Sequence, residues 1–302
     1  MRRQIIVMFC SLFCLALPAR AVEAPAAAPN RGALFKVEGG GHTLYLFGTI
    51  HVGAPDFYPL EARVTAALRD ASTLALEVDP NGDPALMLGA LRKYALYAGG
   101  GPAAADIAPS FKPRLERLLR QYAIPAESVA AMKPWMLASV LAISQFAALG
   151  YQPGLGIDAY LSRQAHERKI PVLELESMES QLALFGGLSL AEQCRFLEES
   201  IAAIEDQEQA AQAKEIAQAW RNADAAALDQ LARRLADDDS FSGRFAQKVL
   251  LEQRNPGLAK GIAALLARES NTMAAIGVLH LVGANSVPAL LRARGLKVER
   301  VY

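Results

Sequence analysis

The chain contains 302 residues, of which 52% are hydrophobic and 21% are charged. This composition supplies a substantial core and excludes a wholly disordered chain. Lysine plus arginine and aspartate plus glutamate both number 31, so the chain lacks the basic excess of a dedicated nucleic-acid-binding protein.

The first residues have the parts of a Sec-type signal peptide. Arg2 and Arg3 precede an apolar segment over 5–17, and Ala19-Arg20-Ala21 fits the small-x-small cleavage pattern. As a helix, the apolar segment would reach about 20 Å, which is too short for a ~30 Å hydrocarbon core. A cleaved signal is therefore favoured over an uncleaved membrane anchor.

These features divide the chain into three predicted parts. Residues 1–21 form the signal peptide, with cleavage after Ala21, residues 22–32 form a flexible linker, and residues 33–302 form the folded domain. We expect this domain to be periplasmic or secreted and to have no membrane span after cleavage. Cys194 is then its one cysteine, so no disulfide within the chain is expected.

Hydrophobic spacing along the domain predicts strands near both ends and helices between them. In chain order, the predictions are strands at 33–37 and 43–50, a helix at 59–70, a strand at 73–78, helices at 83–97, 113–122, 134–149 and 158–168, a strand at 172–175, a helical stretch at 190–235 broken at 222–224, helices at 245–253 and 258–268, a strand at 273–278, a helix at 287–294 and a strand at 297–301. This order predicts an α/β fold with a mixed central sheet flanked by helices and a mainly helical middle insertion.

Two of the four histidines occupy matching sequence contexts. His51 follows the second strand as G-T-I-H, and His280 follows a late strand as G-V-L-H. Glycine permits a sharp exit from a strand, and ligands of α/β folds gather beyond the carboxyl ends of strands. The two imidazoles are therefore candidate metal ligands; the alternative is a pair of core histidines that are hydrogen-bonded to backbone.

Two glutamates in apolar strands are the next candidates. Glu77 follows Leu74-Ala75-Leu76, and Glu176 ends the segment Val172 to Glu176. A buried ionised carboxylate needs a cation, a metal or hydrogen-bond donors. The alternative for each glutamate is an edge-strand residue that is paired with Lys or Arg.

Other polar residues are weaker candidates. Arg254 and Asn255 follow a helix and are expected either to hydrogen-bond the site or to cap a helix. Asp158 is predicted to be the N-cap of the helix 158–168 rather than a catalytic group. His42 and His166 are predicted to lie at the surface.

The order of these motifs resembles that of the TraB/GumN family, relatives of the TIKI metalloproteases. The paired G-x-x-H motifs are the most specific part of the resemblance, which spans about residues 33–302. The segments that carry it are L-F-G-T-I-H at 46–51, L-A-L-E-V-D at 74–79, K-P-W at 133–135, G-I-D at 156–158, L-E-S at 175–177, R-N at 254–255 and G-V-L-H-L-V-G at 277–283.

The resemblance implies a metal-dependent hydrolase, most simply a peptidase, with His51, His280, Glu77 and Glu176 around a divalent cation. Peptide cleavage with Mn²⁺ or Co²⁺ is the activity of TIKI relatives, and His/carboxylate ligation also suits Fe²⁺ or Zn²⁺. Glu77 and Glu176, with Arg254 and Asn255, form the expected catalytic set, and the partner is a peptide or small-molecule substrate rather than nucleic acid. The alternative is a non-catalytic protein that binds a metal, haem or a small ligand at the same place.

Overall fold

A computed structural model describes residues 28–99 and 106–302, which fold around one sheet. Its strands are β1 (Leu34–Gly39), β2 (His42–Thr49), β3 (Leu74–Leu76), β4 (Val172–Glu174), β5 (Thr272–Gly277) and β6 (Lys297–Arg300). They lie in the order β4-β3-β5-β2-β1-β6.

The sheet has a parallel half and an antiparallel half. The neighbours β4 and β3, β3 and β5, and β5 and β2 are all parallel pairs. By contrast, β1 runs antiparallel to both β2 and β6. The predicted hairpin of β1 and β2 turns at Gly40 and Gly41, whose φ values of 59° and 83° suit glycine. Four parallel strands therefore end at the same edge of the sheet.

Helices fill the rest of the chain and flank the sheet. They are α1 (Ala62–Arg69), α2 (Pro84–Tyr94), α3 (Lys112–Gln121), α4 (Ala126–Val129), α5 (Pro134–Ala148), α6 (Ile157–Arg168), α7 (Met178–Gly186), α8 (Leu190–Glu205), α9 (Glu208–Arg221), α10 (Ala225–Ala236), α11 (Phe241–Phe245), α12 (Asn255–Arg268) and α13 (Val287–Ala293). Six of these, α7 to α12, lie between β4 and β5. The predicted α/β fold, a mixed sheet flanked by helices with a mainly helical middle, is confirmed.

The core has two connected parts. The inner strands are apolar on both faces, as is typical of parallel strands covered by helices, and Leu74 and Ala274 have no exposed surface. Beside the sheet, an aromatic cluster joins α5, α7, α8 and α11. Its ring centroids lie 5.0 to 6.0 Å apart, between Trp135, Phe185, Phe196 and Phe245.

Several predicted helix boundaries were wrong. The stretch 190–235 has a second break at Asp206 and Gln207, where Gln207 adopts a left-handed conformation with φ of 59° before α9 begins. The predicted helix at 245–253 is a π-helical turn, Ala246–Glu252, that continues from α11. Helix α7 was not predicted. Its start depends on a local capping box between Ser177 and Ser180 rather than on a glycine or proline signal.

The prediction that Asp158 caps α6 was also wrong. The N-cap is Gly156, and Asp158 lies in the first turn with 7% of its surface exposed. Gly156 packs so closely on the His51 carbonyl oxygen that an added Cβ would lie 2.4 Å away. The helix therefore begins at Ile157, ahead of Asp158, and the Asp158 carboxylate is available for another contact.

The predicted signal peptide at 1–21 and residues 22–27 of the predicted linker lie outside the described residues. The end of that linker is packed against α9: the Gly32 N–H donates to the Trp220 carbonyl oxygen at 2.6 Å, and Arg31 Nη1 donates to that of Arg221 at 3.3 Å. Over the ranges that the structure describes, no helix combines the length and apolar character needed to cross a membrane.

Candidate active site

Each of the four parallel strands is followed by a predicted site residue at the same sheet edge. Glu176 follows β4, Glu77 follows β3, His280 follows β5 and His51 follows β2. The Leu175 N–H donates to the Leu76 carbonyl oxygen at 2.8 Å, and the Glu176 N–H donates to that of Glu77 at 2.9 Å. The pairing of β4 with β3 therefore continues beyond the strand ends. The parallel register thus brings together residues that lie more than two hundred positions apart in sequence.

Glu77 is the central carboxylate, with 5% of its surface exposed. Its Oε1 accepts from the Gly277 N–H at 2.7 Å, and its Oε2 accepts from Arg254 Nη2 at 2.5 Å and Gln181 Nε2 at 3.2 Å. Burial alone would raise its pKa. The Arg254 guanidinium, the two imidazoles and the Gly277 N–H outweigh burial and hold the pKa of Glu77 well below its usual range.

Arg254 joins the two predicted glutamates. Its Nε and Nη2 donate to Glu176, at 3.0 and 2.5 Å, while Nη2 also contacts Glu77 and Nη1 donates to the Leu250 carbonyl oxygen at 3.1 Å. The residue lies just after the π-helical turn, a distortion that is frequent at functional sites. One buried guanidinium therefore pairs with two carboxylates, and both oxygens of Glu176 are engaged by it.

His280 is fully buried, and its tautomer follows from its neighbours. Its Nδ1 lies 2.5 Å from Asn255 Oδ1, and Asn255 Nδ2 donates to the Asn285 carbonyl oxygen at 2.8 Å. Because the opposite amide orientation would place two carbonyl oxygens together, Asn255 presents its oxygen and Nδ1 carries the proton. The lone pair of His280 is then on Nε2, which lies 3.7 Å from Glu77 Oε1.

Nothing in the described chain hydrogen-bonds His280 Nε2, although the atom is buried. Burial lowers the pKa of His280 to about 3, against the attraction of Glu77. The ring is therefore neutral at physiological pH, and its contact with Glu77 is not an ion pair. A neutral imidazole with a fixed Nδ1–H and an available Nε2 has the form of a metal-ligating histidine.

His51 has a charged neighbour instead. Its Nδ1 lies 3.2 Å from Asp158 Oδ2, within ion-pair distance but without the alignment of a hydrogen bond. Burial alone would lower the pKa of His51, but Asp158 and, more weakly, Glu77 raise it to about 9. Asp158 is thus a site residue, although its position near a helix start predicts a helix cap. Only the G-I-D segment of the family resemblance pointed to it.

The two imidazoles and Glu77 surround Gly277. A Cβ added there would lie 3.3 Å from Glu77 Oε1, 3.5 Å from His280 Cδ2 and 3.7 Å from His51 Nε2. The predicted convergence of the two histidines is therefore present in the fold. Glycine at this position leaves space between three groups that all have lone pairs when His51 is neutral.

The metal-ligating capacity of these groups can be judged from their geometry. Within residues 28–99 and 106–302, no three His, Cys, Asp or Glu side chains are already close enough together to hold an ion. The donor chemistry fits a divalent cation, because an unpartnered imidazole nitrogen and a carboxylate oxygen face the same space as His51 Nε2.

The other candidates lie away from this edge. His42 Nδ1 lies 2.8 Å from the Leu266 carbonyl oxygen, and His166 Nε2 lies 2.7 Å from Asp79 Oδ2 at the surface. Cys194 is buried in α8, and burial raises the pKa of its thiol.

Comparisons with known proteins give the family. The sequence matches the TraB/PrgY/gumN family over residues 33–300. Two similar relatives both carry the name Uncharacterized protein YbaP. The Escherichia coli (strain K12) protein is 25% identical over 261 residues, which cover 84% of this chain and 89% of the relative. The Shigella flexneri protein is 25% identical over 256 residues, which cover 82% and 87%. No solved structure matches. Since the family match spans nearly all of the described domain, the chain belongs to the TraB/PrgY/gumN family.

Proposed function

We propose that this protein is a metal-dependent hydrolase that acts on peptides, with its cation held by His51 Nε2, His280 Nε2 and Glu77 Oε1. The observation that carries the proposal is the arrangement of these three groups around Gly277, together with the unpartnered state of His280 Nε2 within the described chain. Mn²⁺, Co²⁺, Fe²⁺ and Zn²⁺ all suit such ligands.

His51, His280 and Glu77 would hold the ion, which would supply a bound water of lowered pKa and polarise the scissile carbonyl. The chain's own residues then have separate tasks. Asn255 fixes the tautomer of His280, and Asp158 orients His51. Both are positioning residues.

The two glutamates also differ in role. Glu77 supplies a carboxylate oxygen that lies 3.7 Å from His280 Nε2 and borders Gly277 together with His51 Nε2, and its low pKa keeps it ionised. Glu176 shares Arg254 with it, and Gln181 Nε2 donates to Glu176 Oε2 at 2.9 Å. Because Arg254 engages both oxygens of Glu176 and also contacts Glu77, we assign Glu176 to holding Arg254, and Arg254 to holding Glu77.

The location of the reaction is a further part of the proposal. A basic start, an apolar segment over 5–17 and a small-x-small site ending at Ala21 favour export by a Sec-type signal. We therefore place the activity in the periplasm or outside the cell. Sequencing the N-terminus of the protein recovered from that compartment tests this: a mature chain starting at Val22 is expected, and an intact Met1 contradicts it.

Metal analysis beside a peptide-cleavage assay tests the function. Purified wild type is expected to retain about one divalent ion per chain and to cleave peptides in a manner that chelator abolishes and added metal restores. His51→Ala and His280→Ala should lose both properties, whereas His166→Ala, a surface histidine, should keep both. Absence of metal-stimulated cleavage over varied peptides contradicts the proposal.

A second candidate function is a binding protein that does not turn its ligand over. It is favoured by the buried, unpartnered Nε2 of His280 within the described chain, which a ligand can engage without any reaction. In that case the same preparation should bind a metal or small ligand without any hydrolysis. His51→Ala and His280→Ala would then change affinity alone.

A further inference from the structure

A mainly apolar cleft opens beside the two histidines. It runs from the segments 49–52 and 277–280 to Phe146 and Tyr151 and to one face of α9. Gln209, Gln212 and Ile216 lie on that face of α9 at helical spacing. The part of the cleft lining that the structure describes contains no Asp, Glu, Lys or Arg side chain.

Gln209 is the unusual member of this lining. Only 1% of its surface is exposed, and neither Oε1 nor Nε2 has a hydrogen-bond partner in the described residues. Leaving both halves of a buried amide unsatisfied is costly, and such groups are rare in folded proteins. An alternative source of partners is therefore needed at this position.

Two further polar atoms on the cleft share this property. Gln212 Oε1 and Thr49 Oγ1 are buried and have no hydrogen-bond partner in the chain as described. Together with His280 Nε2, they place unsatisfied groups on both walls of one apolar space. Because these groups come from α9, β2 and the segment after β5, a local packing fault in one element does not explain them.

The chemistry of these groups defines the ligand that complements them. A glutamine amide offers one acceptor and one donor group side by side, and the backbone N–H and C=O of one extended residue, which point to the same side, satisfy both at once, N–H to Oε1 and C=O to Nε2. The apolar walls exclude a charged group, because burying it there without a counter-charge is unfavourable. An uncharged apolar side chain attached to a peptide unit meets both conditions.

We infer that this cleft is the substrate subsite of the enzyme proposed above, on which the inference rests. It binds an apolar residue of a peptide, and that residue lies next to the peptide bond that is cleaved beside His51 and His280. Gln209 pairs with the backbone N–H and C=O of that residue. Gln209 is thus a specificity-determining residue, and the substrates are peptides with a leucine-like or aromatic residue beside the cleaved bond.

A binding experiment that does not depend on turnover tests the subsite. The probes are N-acetyl-leucine N-methylamide and its lysine analogue, titrated into full-length protein by NMR with chelator present. Wild type is expected to bind the leucine probe and to bind the lysine probe at least tenfold more weakly. Equal affinity for the two probes would overturn the inference.

Variants locate the binding to the amide. Leucine and methionine are similar to glutamine in size but have no amide. Gln209→Leu and Gln209→Met should therefore each weaken binding of the leucine probe at least tenfold. Gln193→Leu is the control, because Gln193 is also a buried glutamine but lies in α8 away from the cleft. Unchanged affinity in both Gln209 variants would contradict the assignment.

The same variants separate this inference from the proposed function. If hydrolysis is never found but the leucine probe still binds in a Gln209-dependent way, the hydrolase proposal fails and the subsite stands. If metal-dependent cleavage is found but Gln209→Leu cleaves leucine- and lysine-containing peptides with unchanged preference, the subsite fails and the hydrolase stands.

Discussion

The two G-x-x-H segments, 48–51 and 277–280, have similar sequences but use their residues differently. Gly277 leaves space between the imidazoles and Glu77, whereas Gly48 lets the second segment approach, since a Cβ on Gly48 would lie 2.9 Å from Val278 Cγ2. His280 contacts a neutral amide, and burial lowers its pKa; His51 contacts Asp158, which raises its pKa. A short motif therefore fixes where an imidazole lies, and its neighbours fix the charge of the ring.

The largest effect is expected at Arg254, which holds Glu77 beside the two segments. Arg254→Ala leaves the carboxylates of Glu77 and Glu176 buried without their shared counter-charge. Removing one partner of a buried ion pair costs about 3–5 kcal/mol. Denaturant unfolding should report this loss of the free energy of unfolding. Arg69→Ala, which breaks an exposed pair with Asp70, is the control and should leave the free energy of unfolding nearly unchanged. Similar losses in the two variants would contradict the buried network.

The next prediction fills the space between the segments. Gly277→Ala keeps every candidate ligand but puts a methyl group against Glu77 Oε1 and both rings, so cation affinity should fall about 10–100-fold. Isothermal titration with Mn²⁺ or Zn²⁺ measures this. Gly89→Ala in α2, where an added Cβ meets nothing within 4 Å, should leave cation affinity unchanged. Unaltered affinity of Gly277→Ala would show that the cation lies elsewhere.

The difference in charge between the histidines is tested by Asp158→Asn. Removing the carboxylate should lower the pKa of His51 from about 9, as followed by NMR of the ring in metal-free protein. Asp79→Asn, beside the surface His166, is the control and should leave the ring of His51 unaffected. An unshifted pKa in Asp158→Asn would remove Asp158 as the cause.

Stability should follow the same titration. Since the folded-state pKa of His51 is above its ordinary value of 6.5, its contribution is fully present below pH 6.5 and is lost as the pH rises through about 9. Metal-free wild type should therefore lose on the order of 3 kcal/mol over this range. The loss should shrink in Asp158→Asn, and equal pH profiles would contradict the coupling.

The smallest effect is expected far from both segments. Arg114 and Arg117 outweigh burial and lower the pKa of Glu205 at the end of α8. A lowered carboxylate pKa gives stability above the ordinary pKa that is lost as the pH falls through the folded-state value. Glu205→Gln should cost about 0.5 kcal/mol at pH 7 and nothing in strong acid, as measured by unfolding at each pH. A cost that persists in acid would indicate lost packing instead.

The fold could be predicted from the sequence where apolar segments are long and uninterrupted. The parallel strands are continuous apolar runs, and α5 is apolar almost all round, so both were predicted nearly to their ends. The break before α9 was missed because a left-handed Gln207 creates it and no glycine or proline marks it. Such a conformation is selected by the packing of α8 and α9, which local sequence does not encode.

The site was predictable where one residue contradicted its surroundings. Glu77 stands out at the end of an apolar strand, and the two histidines stand out by their repeated context. Asp158 was misassigned because an acid near a helix start also fits capping. Gln209 was missed because a glutamine in an Ala/Glu/Gln-rich segment is typical of a solvated helix face. The roles of Asp158 and Gln209 depend on the residues that face them in space, and those neighbours are known only from the folded structure.

The strand order has a consequence for synthesis of the protein. Strand β5, close to the carboxyl end of the chain, lies between β3 and β2, which are made early. A nascent chain that ends before residue 272 lacks β5, and with it Gly277, His280 and the backbone N–H that binds Glu77. The arrangement of the two histidines and Glu77 therefore forms late in biosynthesis, only when most of the chain has been made.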